Sequence, residues 1–399
     1  MNYFPELTGI GKYSGEMAAY LAQEKNEVRV ITAPPYYPEW KVAKGYSSLK
    51  YCTENINGVN ITRCPIWVPN RLSGIKRICH LMSFAISSAF AMVKQLAWRP
   101  DVIFVVEPTF FCAPTALLVS RLSGAKSWLH IQDFEVDAAF ELGMLSNNHA
   151  RSIAMYFESW LVRRFNRVST ISTEMLKKLV LKKIPSEKCV LFPNWVDCES
   201  IYPIKDAKYF RDKLKINYEN KVVLYSGNMG EKQGLEIIIE AAALLHDKNI
   251  TFVLCGNGAM KKKLQSITTN MNNVIWMSLQ PLNRLNDLLN LADIHLLPQR
   301  SDVADLVMPS KLTGMLASGK PVIATSDKNT QIYDIIKTCG VCTPPGDVSL
   351  FANAIEKLAL DDEKLMQLGE SARRFALNKL SKISILNNFN SELNELIEK

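Results

Sequence analysis

The chain has 399 residues, of which 48% are hydrophobic and 22% charged, and its net charge is +8. This length allows two or three domains with complete cores, and the composition excludes a disordered chain. The positive charge is mild and dispersed, without an array of basic and aromatic residues. It predicts anionic partners such as nucleotides or a membrane surface, and it argues against nucleic acid as a partner.

The nine cysteines are scattered along the chain with one isolated C-x-x-C spacing, at Cys339 and Cys342, and their number is odd. This pattern predicts a reducing cytosol and neither a disulfide framework nor a zinc site. Residues 78–96 are apolar enough to be mistaken for a membrane span, but they include His80 and Lys94. The segment is therefore expected to be a buried helix, or a helix whose basic, apolar end touches a bilayer, and both can hold.

Strands and helices alternate from the start of the chain. The first helix is predicted near Thr8, and only residues 1–3 precede it as strand. A doubly wound domain normally opens with a buried strand of about five or six residues, so we expect a truncated first strand. Further strands are predicted at the following positions: residues 27–34, 60–67, 101–108, 125–133 and 167–172.

The alternation stops at residues 192–204, where Pro and Asn cluster, and then a second series of strands begins. Continuous apolar runs indicate parallel strands that are covered on both faces. The sequence therefore predicts two doubly wound halves joined by a hinge. Ligands of such sheets bind beyond the carboxyl ends of the strands, here in the cleft between the halves.

Residues 226–319 carry the most chemical information. An apolar strand runs into the loop SGNMGEKQG, which contains Lys232, and a helix follows. Later, MPSKLTGMLASGKPVIAT places a second helix before another strand. Free N–H groups at a helix start, the positive end of the helix dipole and an ammonium together suit a diphosphate.

Nine blocks spread over nearly the whole chain resemble retaining glycosyltransferases of family 4. They include ELTGIGKY, ITAPPYYPEW, LHIQDFEVDA, YSGNMGEKQGLE and PSKLTGMLASGKP. The first three are most like the enzymes of colanic acid, capsule and O-antigen assembly that resemble fucosyltransferases. The resemblance implies an α/β protein of the GT-B fold, with two doubly wound Rossmann-like domains facing a central cleft.

The resemblance also assigns roles along the chain. Residues 1–200 would bind the acceptor and residues 201–378 the nucleotide-diphosphate sugar, while residues 379–399 would form a helix that crosses back to the first domain. The family histidine beside the transferred sugar falls on His130, and Asp133, three residues on in the same loop, is the second catalytic candidate. The family's donor-binding positions fall on Gly9, Gly11, Gly227, Asn228, Lys232, Gly256, Ser310 and Lys311.

The sequence departs from the family pattern at two points. Asn228 stands where an arginine is usual, so one positive charge is lost. Many members carry two glutamates before the G-K-P motif, but this chain has Leu306 and Gly314 there. Recognition of the ribose must come from elsewhere, and Asp302 and Asp305 are the nearest carboxylates. The nucleotide base and the sugar stay open.

Negative charge builds on the departing diphosphate, and Lys232 and Lys311 would stabilise it. The sequence has no D-x-D motif. We therefore expect no metal and no cofactor besides the donor substrate. The resemblance alone implies that the sugar keeps its anomeric configuration, because the acceptor attacks on the same face within an ion pair.

Structural roles compete with each assignment. Lys232 could be solvated, His130 a hydrogen-bonded core histidine, and Asp133 a helix cap. Gly256 could serve only a tight turn, and Lys311 could pair with a carboxylate. These alternatives stay open at the level of sequence.

Three other functions compete with sugar transfer. Gly9, Gly11 and Gly15 give a loose nucleotide-binding pattern of an oxidoreductase, but no acid follows the next strand. A nucleotide-sugar 2-epimerase would share the fold, and a non-catalytic nucleotide-sugar-binding partner is the third option. We expect transfer of a sugar, plausibly a fucose-type deoxysugar, to a lipid-linked oligosaccharide for surface polysaccharide. The enzyme would be cytoplasmic and peripheral at the cytoplasmic membrane.

Overall fold

The computed structural model describes residues 1–6, 9–70, 73–108, 110–134, 148–300 and 309–398. The chain divides into two compact units. Unit 1 comprises Met1–Pro193 and Leu386–Lys399, and unit 2 comprises Asn194–Ile385. Each unit is an α/β structure with mainly parallel strands, as the alternation along the sequence predicts.

Unit 1 contains two separate sheets. The first has the order β1-β3-β2, with β1 (Arg29–Thr32) parallel to β3 (Val59–Arg63) and β2 (Cys52–Ile56) antiparallel to β3. The second is wholly parallel, with the order β4-β5-β6-β7, and its strands are Val102–Glu107, Lys126–Ile131, Arg167–Thr170 and Cys189–Leu191. Its helices are α1 (Gly9–Gln23), α2 (Gly74–Lys94), α3 (Ala113–Ser123), α4 (Asn148–Val162) and α5 (Thr173–Leu181).

Helix α2 corresponds to the apolar segment of the sequence. It starts where the Ser73 hydroxyl accepts a hydrogen bond from the Lys76 N–H, a normal N-cap. His80, Phe84 and Ala91 lie on its buried face. Among the described residues, no helix combines the length and apolarity that crossing a membrane requires.

Unit 2 has one parallel sheet of six strands in the order β10-β9-β8-β11-β12-β13. These are β8 (Lys221–Asn228), β9 (Ile250–Asn257), β10 (Val274–Met277), β11 (Ile294–Leu297), β12 (Val322–Thr325) and β13 (Gly340–Thr343). Its helices are α6 (Lys208–Leu214), α7 (Glu236–Leu244), α8 (Lys261–Ile267), α9 (Leu285–Leu291), α10 (Ser310–Ala317), α11 (Gln331–Cys339), α12 (Val348–Ala359) and α13 (Asp362–Phe375).

The order of the strands in unit 2 reverses between β8 and β11. From β8 the chain proceeds outward to β9 and β10, and it then returns to the other side for β11. Val223 and Tyr225 of β8 pack into one core cluster, whereas Val222 and Leu224 pack into another on the opposite face. A reversal of this kind opens a crevice at the carboxyl ends of the two strands, where doubly wound proteins bind ligands.

The last helix, α14 (Lys382–Glu398), follows a short parallel bridge between Val196 and Ser381. Phe389 on this helix stacks on Phe192 with ring centroids 4.3 Å apart, and both residues belong to unit 1. The apolar face of the helix thus completes the core of unit 1 beside β4 and β5.

Candidate active site

The crevice at β8 and β11 is built from a tight turn and a helix start. After β8, a 3-10 turn at Glu231–Gln233 is closed by the Gly230 N–H, which donates to Gln233 Oε1 at 3.0 Å. Gly234 adopts a left-handed φ of 57°, and α7 begins two residues later. Two of the first N–H groups of α7, those of Ile237 and Ile238, donate to the Gly234 and Leu235 carbonyls, so the Glu236 N–H and the positive end of the helix dipole are what this edge offers. This edge can therefore receive an anion.

Gly256 has a structural role. A Cβ on Gly256 would lie 1.9 Å from the Gly227 carbonyl oxygen, because β8 and β9 approach closely at their ends. A Cβ on Gly258 would likewise lie 2.5 Å from the Met229 carbonyl oxygen. Backbone packing explains both glycines, and this favours the tight-turn interpretation of Gly256 over the predicted contact with the donor.

Lys311 has the most distinctive environment of the predicted residues. It lies in the first turn of α10, and its ammonium donates to the Tyr225 hydroxyl at 3.2 Å and sits 4.3 Å from the centroid of that ring. Its Cδ would lie 3.3 Å from a Cβ on Gly227. Burial lowers the pKa of Lys311 from 10.5 to about 7. No carboxylate in the described part of the chain forms an ion pair with it, so an anion here would relieve a desolvated cation.

The other predicted residues of unit 2 lie on the surface of the same edge. Asn228 is the exposed last residue of β8, Lys232 lies exposed in the 3-10 turn, and Ser310 is the exposed first residue of α10. Their side chains are open to solvent and free to meet a ligand. Asp302, Asp305 and Leu306 lie outside the described residues, whereas Gly314 lies in α10 against Leu289.

Arg300 is a residue of this edge that sequence reasoning missed. It follows β11 by three residues, and its Cγ would lie 3.0 Å from a Cβ on Gly234. The Thr325 hydroxyl accepts from the Gln299 N–H at 2.7 Å and fixes the segment. The arginine comes from the neighbouring strand, so a search of the glycine-rich loop alone does not find it. The feature that could have identified Arg300 is its position just past β11, the strand that pairs with β8.

In unit 1, the predicted glycines form the first turn of α1. Gly9 has a left-handed φ of 54°, and its missing side chain would meet open space. A Cβ on Gly11 would lie 2.8 Å from the Glu6 Cβ. Glu6 accepts from the N–H groups of Tyr36 and Tyr37 at 2.9 and 3.0 Å. Gly11 therefore lets α1 pack on the loop that Glu6 ties to the segment after β1.

His130 lies inside β5, in the core. Its Nδ1 is 2.9 Å from the Ser169 hydroxyl, and its ring packs against Phe104 and Phe192 at centroid distances of 5.9 and 5.0 Å. Only 3% of the residue is exposed, and burial lowers its pKa to about 3. Burial thus favours the neutral imidazole, and these contacts support a structural role for His130, while its predicted catalytic role stays a prediction.

Asp133 occupies a different position from His130. Strand β5 ends at Ile131, so Gln132 and Asp133 are the first residues beyond its carboxyl end. Gln132 is buried and Asp133 is partly exposed. The predicted strand ran to residue 133 and hid this boundary. The pair Gln132 and Asp133, rather than His130 and Asp133, occupies the place where a site residue is expected.

Comparison with known proteins assigns the family. Residues 206–375 match the family described as Glycosyl transferases group 1, and residues 8–195 match the Glycosyl transferase 4-like domain. The chain is 40% identical over 403 residues to the protein described as "Putative colanic acid biosynthesis glycosyl transferase WcaI" of Escherichia coli (strain K12), and the match covers 98% of each chain. The chain belongs to the family 4-like glycosyltransferases. The predicted family and enzyme class are confirmed.

Solved structures confirm the predicted fold. Sucrose-phosphate synthase from Thermosynechococcus elongatus superposes with a TM-score of 0.76 at 16% identity, covering 98% of this chain and 94% of that one. WaaG, a glycosyltransferase involved in lipopolysaccharide biosynthesis, gives 0.68 at 16% identity, with 98% and 97% covered. Anabaena HepE in complex with UDP-glucose gives 0.63 at 16% identity, with 85% and 87% covered. This glycosyltransferase therefore has the GT-B fold, with two Rossmann-like domains.

Proposed function

We propose that this glycosyltransferase moves a sugar from a nucleotide-diphosphate donor to a lipid-linked oligosaccharide during assembly of a surface polysaccharide. The observation that carries the proposal is the cationic edge of unit 2, where Lys311 lacks a counter-charge among the described residues. The name of the Escherichia coli relative supports the polysaccharide role, and the UDP-glucose complex of HepE supports the donor class.

The diphosphate would bind at the carboxyl ends of β8 and β11. Lys311 would meet it from α10, Lys232 from the 3-10 turn, and the start of α7 would contribute N–H groups. Arg300 would supply the guanidinium that Asn228 does not. Charge that grows on the leaving diphosphate is stabilised by donors already in place, at little cost of reorganisation.

The remaining features of the reaction are also proposals. Several cations at one edge, together with a sequence that has no D-x-D motif, support metal-independent departure of the diphosphate. Unit 1 would bind the acceptor, with Asp133 at the end of β5 as the candidate polar contact. Retention of configuration and a fucose-type donor rest on the sequence resemblance to family 4.

A thermal-shift panel tests the proposal. UDP, GDP, UDP-glucose and GDP-fucose are each added with magnesium or with EDTA, and adenosine serves as a control without a diphosphate. A ligand at a hundred times its dissociation constant should stabilise the protein by about 2.7 kcal/mol. We expect one nucleotide to shift the transition equally with and without magnesium. A folded protein that responds to none of them would contradict the proposed donor site.

We also propose that unit 1 rests on an anionic membrane surface through α2 and α3. The outer face of α2 carries exposed apolar residues at helical spacing: Ile75, Ile78, Met82, Ile86, Phe90 and Val93. Leu118 and Leu122 extend the apolar face onto α3. Exposed Lys76, Lys94 and Arg121 lie on the same two helices. Apolar residues beside lysine and arginine are typical of interfacial helices on anionic lipids.

Co-sedimentation with vesicles tests this surface. The wild type should bind vesicles of phosphatidylglycerol and phosphatidylethanolamine, and bind phosphatidylcholine vesicles weakly. The double change Ile86→Ser with Phe90→Ser should reduce binding at least about tenfold, because two large apolar contacts are lost. Leu360→Ser is the matched control, since Leu360 is 82% exposed but lies in unit 2. Equal losses in both proteins would refute the assignment to α2.

A further inference from the structure

The carboxyl ends of β9 and β10 are bridged by one lysine. Lys261, the first residue of α8, is partly buried, and its ammonium donates to the Gly256 carbonyl at 2.7 Å and to the Met277 carbonyl at 3.4 Å. In the described part of the chain no carboxylate pairs with this ammonium, whereas Lys263 of the same helix contacts Glu236 at 3.6 Å. Lys261 is therefore a cation that neutral oxygens hold on two strand ends.

The partners of Lys261 define what else it can bind. An ammonium has three N–H donors and no acceptor, and the two carbonyls occupy two of the donors. A third oxygen at the same point completes the set. An amino group there would place one hydrogen-bond donor against another, and a donor without an acceptor away from water is unfavourable. Lys261 therefore distinguishes an oxygen from an amino group.

The turn after β10, beside Lys261, is fixed and partly apolar. The Ser278 carbonyl accepts from the Cys255 thiol at 3.1 Å and from the side-chain amide of Gln280 at 2.8 Å. Leu279, between these residues, is 66% exposed. An apolar side chain on a fixed turn next to a single cation suits a flat ring whose edge carries an oxygen.

This turn adjoins the position proposed for the diphosphate. Lys311 packs against Gly227 of β8, since its Cδ would lie 3.3 Å from a Cβ there. Gly227 pairs with Gly256 of β9, whose carbonyl accepts from Lys261. The two lysines are therefore separated by one to two strand spacings, about 5–10 Å along the edge of the sheet. A nucleoside diphosphate is long enough to contact both.

The opposite direction along the edge is closed by the chain itself. Thr325 is the last residue of β12, and its hydroxyl accepts from the Gln299 N–H and donates to the Gln299 carbonyl, both at 2.7 Å. These bonds hold the segment that follows β11 against the end of β12. A nucleoside attached to a diphosphate at β8 and β11 therefore extends toward β9 and β10.

We propose that Lys261 selects the base of the nucleotide-sugar donor by a hydrogen bond to a keto oxygen. The assignment rests on the proposed nucleotide-diphosphate donor. Uracil and guanine carry a keto oxygen at the ring position where cytosine and adenine carry an amino group. The enzyme would therefore accept a uridine or guanosine nucleotide and reject the cytidine and adenosine nucleotides.

Calorimetric titrations of the full chain with UDP, CDP, GDP and ADP test the role of Lys261. UDP and CDP differ at position 4 of the base, and GDP and ADP are the corresponding purine pair. In the pair that binds more tightly, the wild type should favour the keto nucleotide at least about tenfold, as one hydrogen bond to a charged group allows. Lys261→Met keeps the length of the side chain but has no N–H donor, so this preference should fall below about threefold.

Two further variants guard against an effect of misfolding. Lys262→Met is the matched control, because Lys262 is the next residue of the same helix and is exposed. Its preference should equal that of the wild type. Lys261→Arg keeps N–H donors and should retain most of the preference. Each preference is a ratio measured on one protein, so a fraction of unfolded chains does not change it.

Inorganic pyrophosphate separates a base contact from a phosphate contact. If Lys261→Met weakens the binding of pyrophosphate, UDP and CDP equally, Lys261 is a phosphate ligand and the assignment is overturned. A wild type without a keto preference, or an unchanged preference in Lys261→Met, overturns it as well, while the proposed donor site stands. If the wild type binds none of the four nucleotides, the donor site fails and the base assignment fails with it.

Discussion

The sheets of the two units differ in continuity. In unit 2, six parallel strands form one sheet, and Val222–Tyr225 of its central strand are fully buried. In unit 1, three and four strands form two separate sheets, and Val102, Ile103 and Phe104 of β4 are only partly buried. A continuous sheet fixes the carboxyl ends of its strands, so loops at that edge can be dedicated to a ligand. In the divided unit, β1 and β4 belong to different sheets, so the loops that follow them are not fixed by a shared ladder.

The largest effect on stability is expected at the ends of β8 and β9, where the two backbones leave no room for a side chain at Gly256. Gly256→Ala would force a Cβ toward the Gly227 carbonyl, 1.9 Å away, and both groups belong to paired backbones. We expect the free energy of unfolding to fall by at least about 3 kcal/mol, measured by urea denaturation. Gly314→Ala is the control, because its Cβ would meet only the flexible end of Leu289 at 3.3 Å. That helical change should gain up to about 1 kcal/mol. Equal stability of the two variants would show that the ends of β8 and β9 are not rigid.

The second effect concerns chemistry at the same edge. Lys232→Ala should cost about 2–4 kcal/mol of transition-state stabilisation, the size of one lost oxyanion donor, and lower kcat/KM roughly 30- to 1000-fold. Lys262→Ala is the matched control, since Lys262 is also an exposed lysine after a glycine turn. Its kcat/KM should stay within about threefold. Wild-type turnover in Lys232→Ala would remove this lysine from the phosphate site.

The sequence predicted the features that depend on local pattern. The alternation of strands and helices, the glycine-rich loop after β8 and the PSK segment at α10 all follow from short-range signals. The environment of His130 could not be predicted, because its partners Phe104, Phe192 and Ser169 come from distant parts of the chain. Arg300 was missed for the same reason, since β11 neighbours β8 only in the folded sheet.

The third effect is a pH dependence of donor binding. The pKa of Lys311 is about 7 in the free protein, and a bound diphosphate should raise it by pairing with the ammonium. Binding then takes up a proton above pH 7, so nucleotide affinity should fall as pH rises from 7 to 9, approaching tenfold per unit. Lys311→Met should bind more weakly at pH 7 and lose most of this slope. Calorimetric titrations in two buffers of different ionisation enthalpy would measure the proton uptake, and a pH-independent wild type would contradict it.

Lys311 also links this edge to stability. Its folded pKa lies below 10.5, so the unfolded chain binds more protons between pH 7 and 10.5, and the free energy of unfolding should rise with pH across that window. The penalty is fully present below pH 7. Lys311→Met should remove it and stabilise the free protein at pH 7 by about 1–2 kcal/mol. A variant that is more stable but binds donor less well would show that the cation is retained for its ligand.

The smallest effect is expected for His130 in the core of unit 1, and it is compared with the effect of changing Asp133 beyond the end of β5. His130→Phe keeps an aromatic ring among Phe104 and Phe192 and removes one hydrogen bond to Ser169. The lost hydrogen bond should lower the free energy of unfolding by about 1 kcal/mol. If His130 has only a structural role, kcat should stay within about threefold of the wild-type value. Asp133→Asn, two residues beyond β5, should instead lower kcat at least about a hundredfold if this carboxylate acts on the acceptor. Steady-state kinetics and urea denaturation of the two variants give the comparison. Loss of turnover in His130→Phe with unchanged stability would return the catalytic role to the histidine, and it would mean that the ring leaves the core during the reaction.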